Sequence, residues 1–215
     1  MDIARKPIIV QSCIFWHMAI APGVRESTRE SILDATDRLM ARYGFRKMTM
    51  DDVAKEAGVS KRTIYTYFRS KEDVGLSSIG RVVGKVVDEL AEISQLDIPR
   101  AEKLTRMLRR RVLGRIEQVQ EYAHSLDELF EAVRPAYMAR RAETFGRECS
   151  LMAAVVGGPD AQEVAESLIL ATNAFLPYSL SVRELGSPES VAKKLESMIS
   201  TLLKGAVGPT TGLTQ

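Results

Sequence analysis

Two helix-capping signals and one glycine, all between Thr49 and Phe68, constrain the fold of this chain more sharply than any other part of its sequence. The Thr49 hydroxyl can accept a hydrogen bond from the free N–H groups of a helix that begins at residue 50, and the acids that follow favour the positive end of the helix dipole. Gly58 tolerates the left-handed backbone that ends a helix, and Ser60 caps the next one. The segment therefore predicts two short helices joined by a tight turn.

The remaining residues of this segment predict how its helices pack and what they expose. Ala54 lets the two helices approach closely, and Val59 and Ile64 fill a small shared core. The second helix leaves cations, hydroxyls and aromatic rings exposed: Lys61, Arg62, Thr63, Tyr65, Thr66 and Tyr67. Cations bind phosphates and guanine edges, hydroxyls bind phosphates, and rings pack on sugars or thymine methyls. This combination indicates a nucleic-acid face.

The distribution of charge agrees with a nucleic-acid partner. Residues 25–71 hold 11 Lys and Arg against 7 Asp and Glu, whereas residues 72–215 hold 17 against 20. Basic side chains favour nucleic acid because they release counterions from its phosphates. The excess alone is weak support, since many solvated helix faces are basic.

The segment resembles the signature of the tetracycline-repressor (TetR/AcrR) family, and the likeness extends over residues 30–74. The residues that carry it are TMDDVAKEAGVSKRTIYTYFRSKED, preceded by Ile32-Leu-Asp-Ala and Gly44-Phe. The resemblance implies a double-stranded DNA operator as partner, read by the third helix. It implies base contacts from Lys61, Arg62 and Tyr65. It implies phosphate contacts from five further residues: Thr49, Ser60, Thr63, Tyr67 and Lys71.

Two positions depart from the family pattern. Arg62 stands where glycine or proline is common, and Ile64 stands where leucine is common. A long cation at residue 62 either reads guanine, which discriminates by about 1–3 kcal/mol per base, or holds a phosphate, which carries no direct sequence information. The operator sequence therefore stays open.

Apolar residues recur at three- and four-residue steps along most of the chain, without two-residue alternation. The predicted fold is all-α, with a three-helix helix-turn-helix domain followed by a helical bundle, for which the family resemblance implies effector binding and dimerisation. Ser27 and Glu30 predict a capping box at the first helix. Later helices are predicted at 71–95, 100–119, 122–156 (an interruption at Pro135 is left open), 160–184 and 187–204. The predicted divisions are a disordered arm at 1–24, the DNA-binding domain at 25–71, the second domain at 72–204 and a disordered tail at 205–215.

The first residues allow more than one interpretation. Residues 7–21 are largely apolar, and Ala19-Ile-Ala21 resembles a signal-peptidase site. Polar residues interrupt the stretch and a DNA reader acts in the cytoplasm, so we expect a disordered arm on a cytoplasmic protein. Met18 offers a second start, which leaves open whether residues 1–17 belong to the protein. The stretch is too short to span a bilayer, and no membrane partner is expected.

The family resemblance implies a homodimer and a small-molecule effector. Residues 167–178 are apolar on nearly every side, as in a helix covered by its own core and by a partner. The predicted interface comprises Leu168, Thr172, Leu176, Leu195, Met198 and Leu202. Candidate pocket residues are Tyr122, Phe130, Tyr137, Met138, Phe145, Met152 and Phe175, most of which equally suit ordinary core packing.

The leading interpretation is a homodimeric repressor that leaves a palindromic operator when a small molecule binds. An activator or an effector-independent regulator is the alternative, and an α-helical enzyme using His124 with nearby acids, such as Asp127, Glu128 and Glu131, is a remote one. No phosphate loop, nucleophile elbow or metal-ligand pair in the sequence favours the enzyme, so neither cofactor nor metal is expected. Arg109-Arg-Arg111 is interpreted as a solvated helix face rather than a second nucleic-acid patch, and Cys149 as a small core residue.

Overall fold

A computed structural model describes residues 22–176 and 186–206, most of them helical. The α-helices are α1 (Pro22–Tyr43), α2 (Met50–Glu56), α3 (Lys61–Tyr67), α4 (Lys71–Ser94), α5 (Arg100–Val119), α6 (Leu126–Val156), α7 (Ala161–Thr172) and α8 (Pro188–Ala206). Short 3-10 helices at Gln120–Ser125 and Asn173–Phe175 precede α6 and follow α7. These ranges contain no strand, which confirms the predicted all-α class. Within them, no helix is long and apolar enough to cross a membrane.

The caps predicted for the short helices are present. The Thr49 hydroxyl oxygen accepts from the Asp52 N–H while the Asp52 carboxylate accepts from the Thr49 N–H, which forms a capping box on α2. Ser60 caps α3 and Ser70 caps α4, each accepting from the N–H three residues on. Gly58 has a φ of +68°, the left-handed backbone that turns the chain from α2 into α3.

The start of α1 differs from the prediction. The chain is already helical at Pro22, so Ser27 lies inside the helix, where its carbonyl accepts from the Ser31 hydroxyl instead of capping a first turn. The predicted capping box at Ser27 is therefore wrong. The predicted arm extends to residue 24, past this helix start, and its residues 1–21 lie outside the described part of the chain.

Three later helix boundaries also differ. A 3-10 segment replaces the first turns predicted from residue 122, and α6 then continues through Pro135 without interruption. The helix predicted at 160–184 ends at Thr172, and residues 177–184 of that prediction lie outside the described ranges. α8 extends to Ala206, two residues beyond the predicted helix end at residue 204, and residues 207–215 are not described.

Two hydrophobic cores divide the fold along α4. The first joins α1, α2 and α3 to the N-terminal half of α4 and the start of α6. The second joins the C-terminal half of α4 to α5, the end of α6, α7 and α8. Because the first core includes Leu129 and Val133 of α6, its packing crosses residue 71, where the sequence places a domain boundary.

The N-terminal helices dock on α4 where Gly75 lies between Phe45 and Leu129. A β-carbon at residue 75 would lie 2.9 Å from Phe45 Cε2 and 2.6 Å from Leu129 Cδ1, closer than packed atoms approach. Both neighbours are buried, so they have little room to withdraw. The missing side chain at Gly75 thus allows α4, α6 and the turn after α1 to meet.

Ion pairs provide a second link between α1 and α4. Arg81 donates to three carboxylates of α1: Glu30 at 2.9 Å, and Asp34 and Asp37 at 2.6 Å each. The Ser78 hydroxyl also donates to Asp37. Burial raises the pKa of Asp37, and the bonds from Ser78 and Arg81 oppose that rise. Removing the Arg81 guanidinium would leave the Asp37 carboxylate, the most buried of the three, without its cationic partner.

Gly75→Ala is expected to destabilise the protein by about 1–3 kcal/mol, because the added methyl overpacks the contact with Phe45 and Leu129. Gly84→Ala is the matched control on the same helix, since its β-carbon would meet nothing within 4 Å. That change should stabilise by about 0.5–1 kcal/mol through helix propensity. Urea denaturation followed by circular dichroism measures both, and equal midpoints for the two variants would contradict the docking contact.

Candidate nucleic-acid interface

The short helix α3 is apolar on one side and cationic on the other. Ile64 and Phe68 are buried in the first core. Lys61, Arg62 and Tyr65 are exposed, with Tyr65 retaining 48% of its surface. The three residues expected to contact bases therefore lie together on the solvent side of one capped helix braced by α2, and their roles stay predictions.

The hydroxyls of Ser60 and Thr63 are partly used by the cap. Ser60 Oγ accepts from the Thr63 N–H at 3.0 Å and lies 2.8 Å from Thr63 Oγ1. One hydroxyl proton joins the two oxygens, and the other is left to donate outward. The pair can therefore donate a hydrogen bond to a phosphate oxygen without losing the cap. A phosphate contact is what the family resemblance implies for both residues.

Thr49 is more fully committed to its helix. Its hydroxyl donates to Asp52 Oδ2 at 2.6 Å, and these bonds hold the pKa of the Asp52 carboxyl below its usual value. A phosphate contact from the Thr49 hydroxyl would have to replace that bond. The predicted contact is untested and competes with the cap.

Lys61 forms a surface ion pair with Asp51 of α2. The Lys61 ammonium lies 2.8 Å from Asp51 Oδ1, with both side chains 63% exposed, and the pair raises the pKa of Lys61. Exposed pairs of this kind contribute little stability, because water screens them. Asp51 therefore competes weakly with DNA for the cation.

Lys71 and Tyr67, both expected to contact phosphate, are half-buried. The Lys71 ammonium donates to the carbonyls of Phe45 at 3.2 Å and Arg46 at 3.1 Å, and lies 4.7 Å from the centre of the Phe45 ring. The Tyr67 ring packs beside that of Phe68. Lys71 thus fastens the turn after α1 to α4, and DNA would have to draw it away.

Arg29 of α1 is a further cation near α3 that the sequence prediction did not include. Its guanidinium carbon lies 5.6 Å from the centre of the Phe68 ring, at the residue that ends α3. Arg25 stands four residues earlier and therefore on the same helix face. The spacing of Arg25 and Arg29 was visible in the sequence, but only the packing of α1 shows that Arg29 lies beside the end of α3.

A cleft lies between α4, α5 and α6. The charged groups that line one half are four arginines and one carboxylate: Arg111, Arg115, Arg140, Arg141 and Glu148. The other half is lined mainly by apolar side chains of the same three helices. Val83, Arg115 and Tyr137 line both halves, so the two lie side by side.

The seven predicted pocket residues divide between this cleft and other places. Three line the cleft: Phe130, Tyr137 and Phe145. Four lie elsewhere: Tyr122 beside α1 in a polar crevice, Met138 on the surface, and Met152 and Phe175 in or against the second core. The cleft residues keep their assignment as a prediction, and the other four contribute to packing or surface.

The arginine triplet on α5 is not a uniform solvated face. Arg109 is on the surface, where it pairs with Glu196, as expected. Arg111 contradicts the expectation, because its side chain is only 1% exposed. It donates to Glu148 and Thr172 at 3.0 Å each and to Asn173 at 2.6 Å. These partners come from α6, α7 and the segment after α7, so helical spacing on α5 alone could not reveal them.

Most of the predicted dimer residues lie inside the single chain. Leu168, Thr172, Leu176 and Leu195 are 0–3% exposed, which leaves them no surface for a partner. Met198 and Leu202 are half-buried on α8. The apolar side of α7 covers its own core, and Leu170, 58% exposed, is the large apolar residue on its outer side. Periodicity alone did not distinguish these two sides. Interface candidates are therefore Leu170, Met198 and Leu202.

Two of the three acids suggested as partners of His124 in an enzyme bind Arg46 instead. Glu128 accepts from the Arg46 N–H at 3.1 Å, and Glu131 accepts from the Arg46 guanidinium at 3.1 Å. Cys149 is buried in the second core, which confirms its expected packing role, and burial raises the pKa of its thiol.

Comparison with known proteins supports the assignment of the N-terminal helices. Residues 32–75 match the family model "Bacterial regulatory proteins, tetR family". An uncharacterized HTH-type transcriptional regulator of Haemophilus influenzae is 51% identical over 45 residues, 21% of this chain and 24% of that protein. The fatty acid metabolism regulator protein of Bacillus subtilis is 33% identical over 73 residues, 34% of this chain and 38% of that protein. The matches thus span well under half of these relatives.

Solved structures extend the likeness to the whole fold. A TetR-like transcriptional regulator from Rhodococcus sp. RHA1 is 24% identical, with a TM-score of 0.55, and the match covers 88% of this chain and 99% of that one. The transcriptional regulator FadR from Bacillus subtilis, solved in complex with stearoyl-CoA, is 17% identical with a TM-score of 0.55, covering 83% and 97%.

A capped helix-turn-helix with an exposed cationic third helix, carried on a larger helical bundle, is an architecture suited to binding DNA. The N-terminal helices, residues 32–75, thus match the tetR family model of bacterial regulatory proteins, and the whole fold is similar to that of a TetR-like regulator.

Asp51→Asn is expected to raise DNA affinity about two- to fivefold, because it releases Lys61 from an exposed ion pair and removes a negative charge beside α3. Asp97→Asn is the control, an exposed acid in the loop after α4. Fluorescence anisotropy with one duplex at fixed salt measures both changes. An affinity for Asp51→Asn no higher than that of the control would show that the pair does not compete with DNA.

Proposed function

We propose that this regulator is a homodimeric repressor that binds a palindromic operator through α3 and leaves it when a small molecule occupies the cleft between α4, α5 and α6. The observation that carries the proposal is the exposed set Lys61, Arg62 and Tyr65 on a short helix whose caps and buried side fix its orientation. Its partner is chromosomal DNA, so the protein acts in the bacterial cytoplasm.

Dimerisation would use the outer sides of α7 and α8. Leu170 is exposed on α7, and Met198 and Leu202 are half-buried on α8. Two copies related by a twofold axis would cover these apolar groups and present two α3 helices to one face of the duplex. Half-sites would then lie about one helical turn, roughly 34 Å, apart or a multiple of it.

The cleft is physically linked to α3 through α4. Leu76, Gly80 and Val83 of α4 line the cleft. On the same helix, Gly75 packs against Phe45, and Arg81 holds α1. A ligand that shifts α4 therefore moves the N-terminal helices with it. The ligand weakens DNA binding only if it binds more tightly to the arrangement in which the two α3 helices no longer match the half-sites.

Relatives give separate support for an effector. One similar protein is named a fatty acid metabolism regulator, and one similar structure holds stearoyl-CoA. Both proteins differ from this chain in most of their sequence. They support the proposal that the effector is a small molecule, but they do not identify that molecule.

The test is selection from a pool of random duplexes by the purified full chain, followed by sequencing. The proposal expects enrichment of an inverted repeat whose half-sites are separated by one turn or a multiple of it. Leu170→Glu tests the dimer in the same experiment, because a buried carboxylate opposes association. This variant should enrich single half-sites and sediment as a monomer, whereas Leu96→Glu, at an exposed residue after α4, should behave as the native chain.

If the native chain enriches a sequence that contains no inverted repeat, the proposed homodimer is wrong. If the Leu170→Glu variant still dimerises and still enriches the inverted repeat, the interface does not lie on α7. Weak binding without sequence preference, controlled by salt alone, would remove the proposed function altogether.

A further inference from the structure

We propose that the cleft between α4, α5 and α6 binds an amphipathic molecule with one anionic head, a carboxylate or a phosphate, held at Arg115. This inference rests on the effector proposed above and adds its chemical class. Three features of the cleft carry it: its charge, an unsatisfied buried donor, and the apolar half that lies beside the charged one.

The charged half of the cleft has more positive than negative groups. Arg111 and Arg115 share one buried carboxylate, that of Glu148, so the buried cluster keeps a net positive charge. Arg140 and Arg141 line the same half, in which Glu148 is the one carboxylate among the lining residues. Arg140 also lies 3.8 Å from Asp73, outside the cleft lining. Such a site attracts an anion and repels a cation.

Arg115 has hydrogen-bonding capacity that the protein does not use. Its terminal nitrogen donates to Glu148, but its Nε–H is buried and has no partner among the described residues. A buried donor without a partner costs free energy, which an acceptor on a ligand recovers. Guanidinium and anionic oxygen are well matched for this bond. Because Arg115 lines both halves, the head of the ligand lies at their junction.

The other half of the cleft selects an apolar body. Apart from Arg115 and Tyr137 its lining is aliphatic or aromatic: Ile79, Val82, Val83, Val119, Leu126 and Phe130. A polar body would lose its water there without gaining hydrogen bonds. A neutral apolar ligand would leave the Arg115 Nε–H unsatisfied. An anion joined to a hydrocarbon chain meets both requirements.

Isothermal titration of the full chain without DNA tests the ligand class. The probes are decanoate, decyl phosphate and decanol, each below the concentration at which it forms micelles. At least one anion should bind tenfold or more tightly than decanol, and the stronger anion identifies the head. Arg115→Gln should remove most of this preference and leave decanol binding nearly unchanged.

A second pair of variants avoids the buried ion cluster, in case Arg115→Gln fails to fold. Gly80 lines the cleft and Gly84 does not, and a β-carbon at either would meet nothing within 4 Å. Gly80→Leu should weaken anion binding tenfold or more by filling the entrance, whereas Gly84→Leu should bind as the native chain. Equal binding of decanol and both anions, equal binding by these two variants, or no binding of any probe would overturn the proposal.

The DNA measurement separates this inference from the proposed function. If an anion binds with the stated preference but leaves the affinity for the selected duplex unchanged, the ligand class stands and release by an effector is wrong. If the chain selects an inverted repeat but shows no anion preference, the regulator stands and the ligand class is wrong.

Discussion

The packing of Phe45 against Gly75 and Leu129 is the contact on which the arrangement of this fold depends. It joins the turn after α1 to α4 and α6 at one buried point, where a single added methyl would collide. Arg81 adds a polar link one and a half turns further along α4. Because well-packed interiors move between discrete arrangements rather than deform smoothly, the proposed release from DNA requires that a displacement of α4 carries α1, α2 and α3 with it as a unit.

Charge has two different roles in the two halves of the molecule. At α3 the cations are exposed and weakly paired, as Lys61 with Asp51 illustrates, so DNA can recruit them at little cost. In the cleft, Arg111 and Arg115 are buried around Glu148, where an unpaired donor is costly. A basic side chain is thus screened by water at the surface of α3 and desolvated in the cleft. Its degree of burial determines how costly it is to leave the side chain without a partner.

Local signals were readable in the sequence, and tertiary ones were not. Thr49, Gly58 and Ser60 act on backbone groups within three or four residues, so their caps and the turn were predictable and are present. Burial of Arg111 depends on Glu148 and on residues some sixty positions away, and burial of Leu168 depends on which side of α7 meets its own core. Helical periodicity marks an apolar face but does not say what covers it.

The most direct test of the account is whether α3 reads the base sequence. Duplex selection should be repeated with Lys61→Ala/Tyr65→Ala, with Arg106→Ala/Met138→Ala as a control on exposed residues of α5 and α6. If α3 reads the base sequence, the α3 variant stays folded and loses sequence preference, while the control enriches the native site. Enrichment of the same site by the α3 variant, at native affinity, would contradict this role of α3.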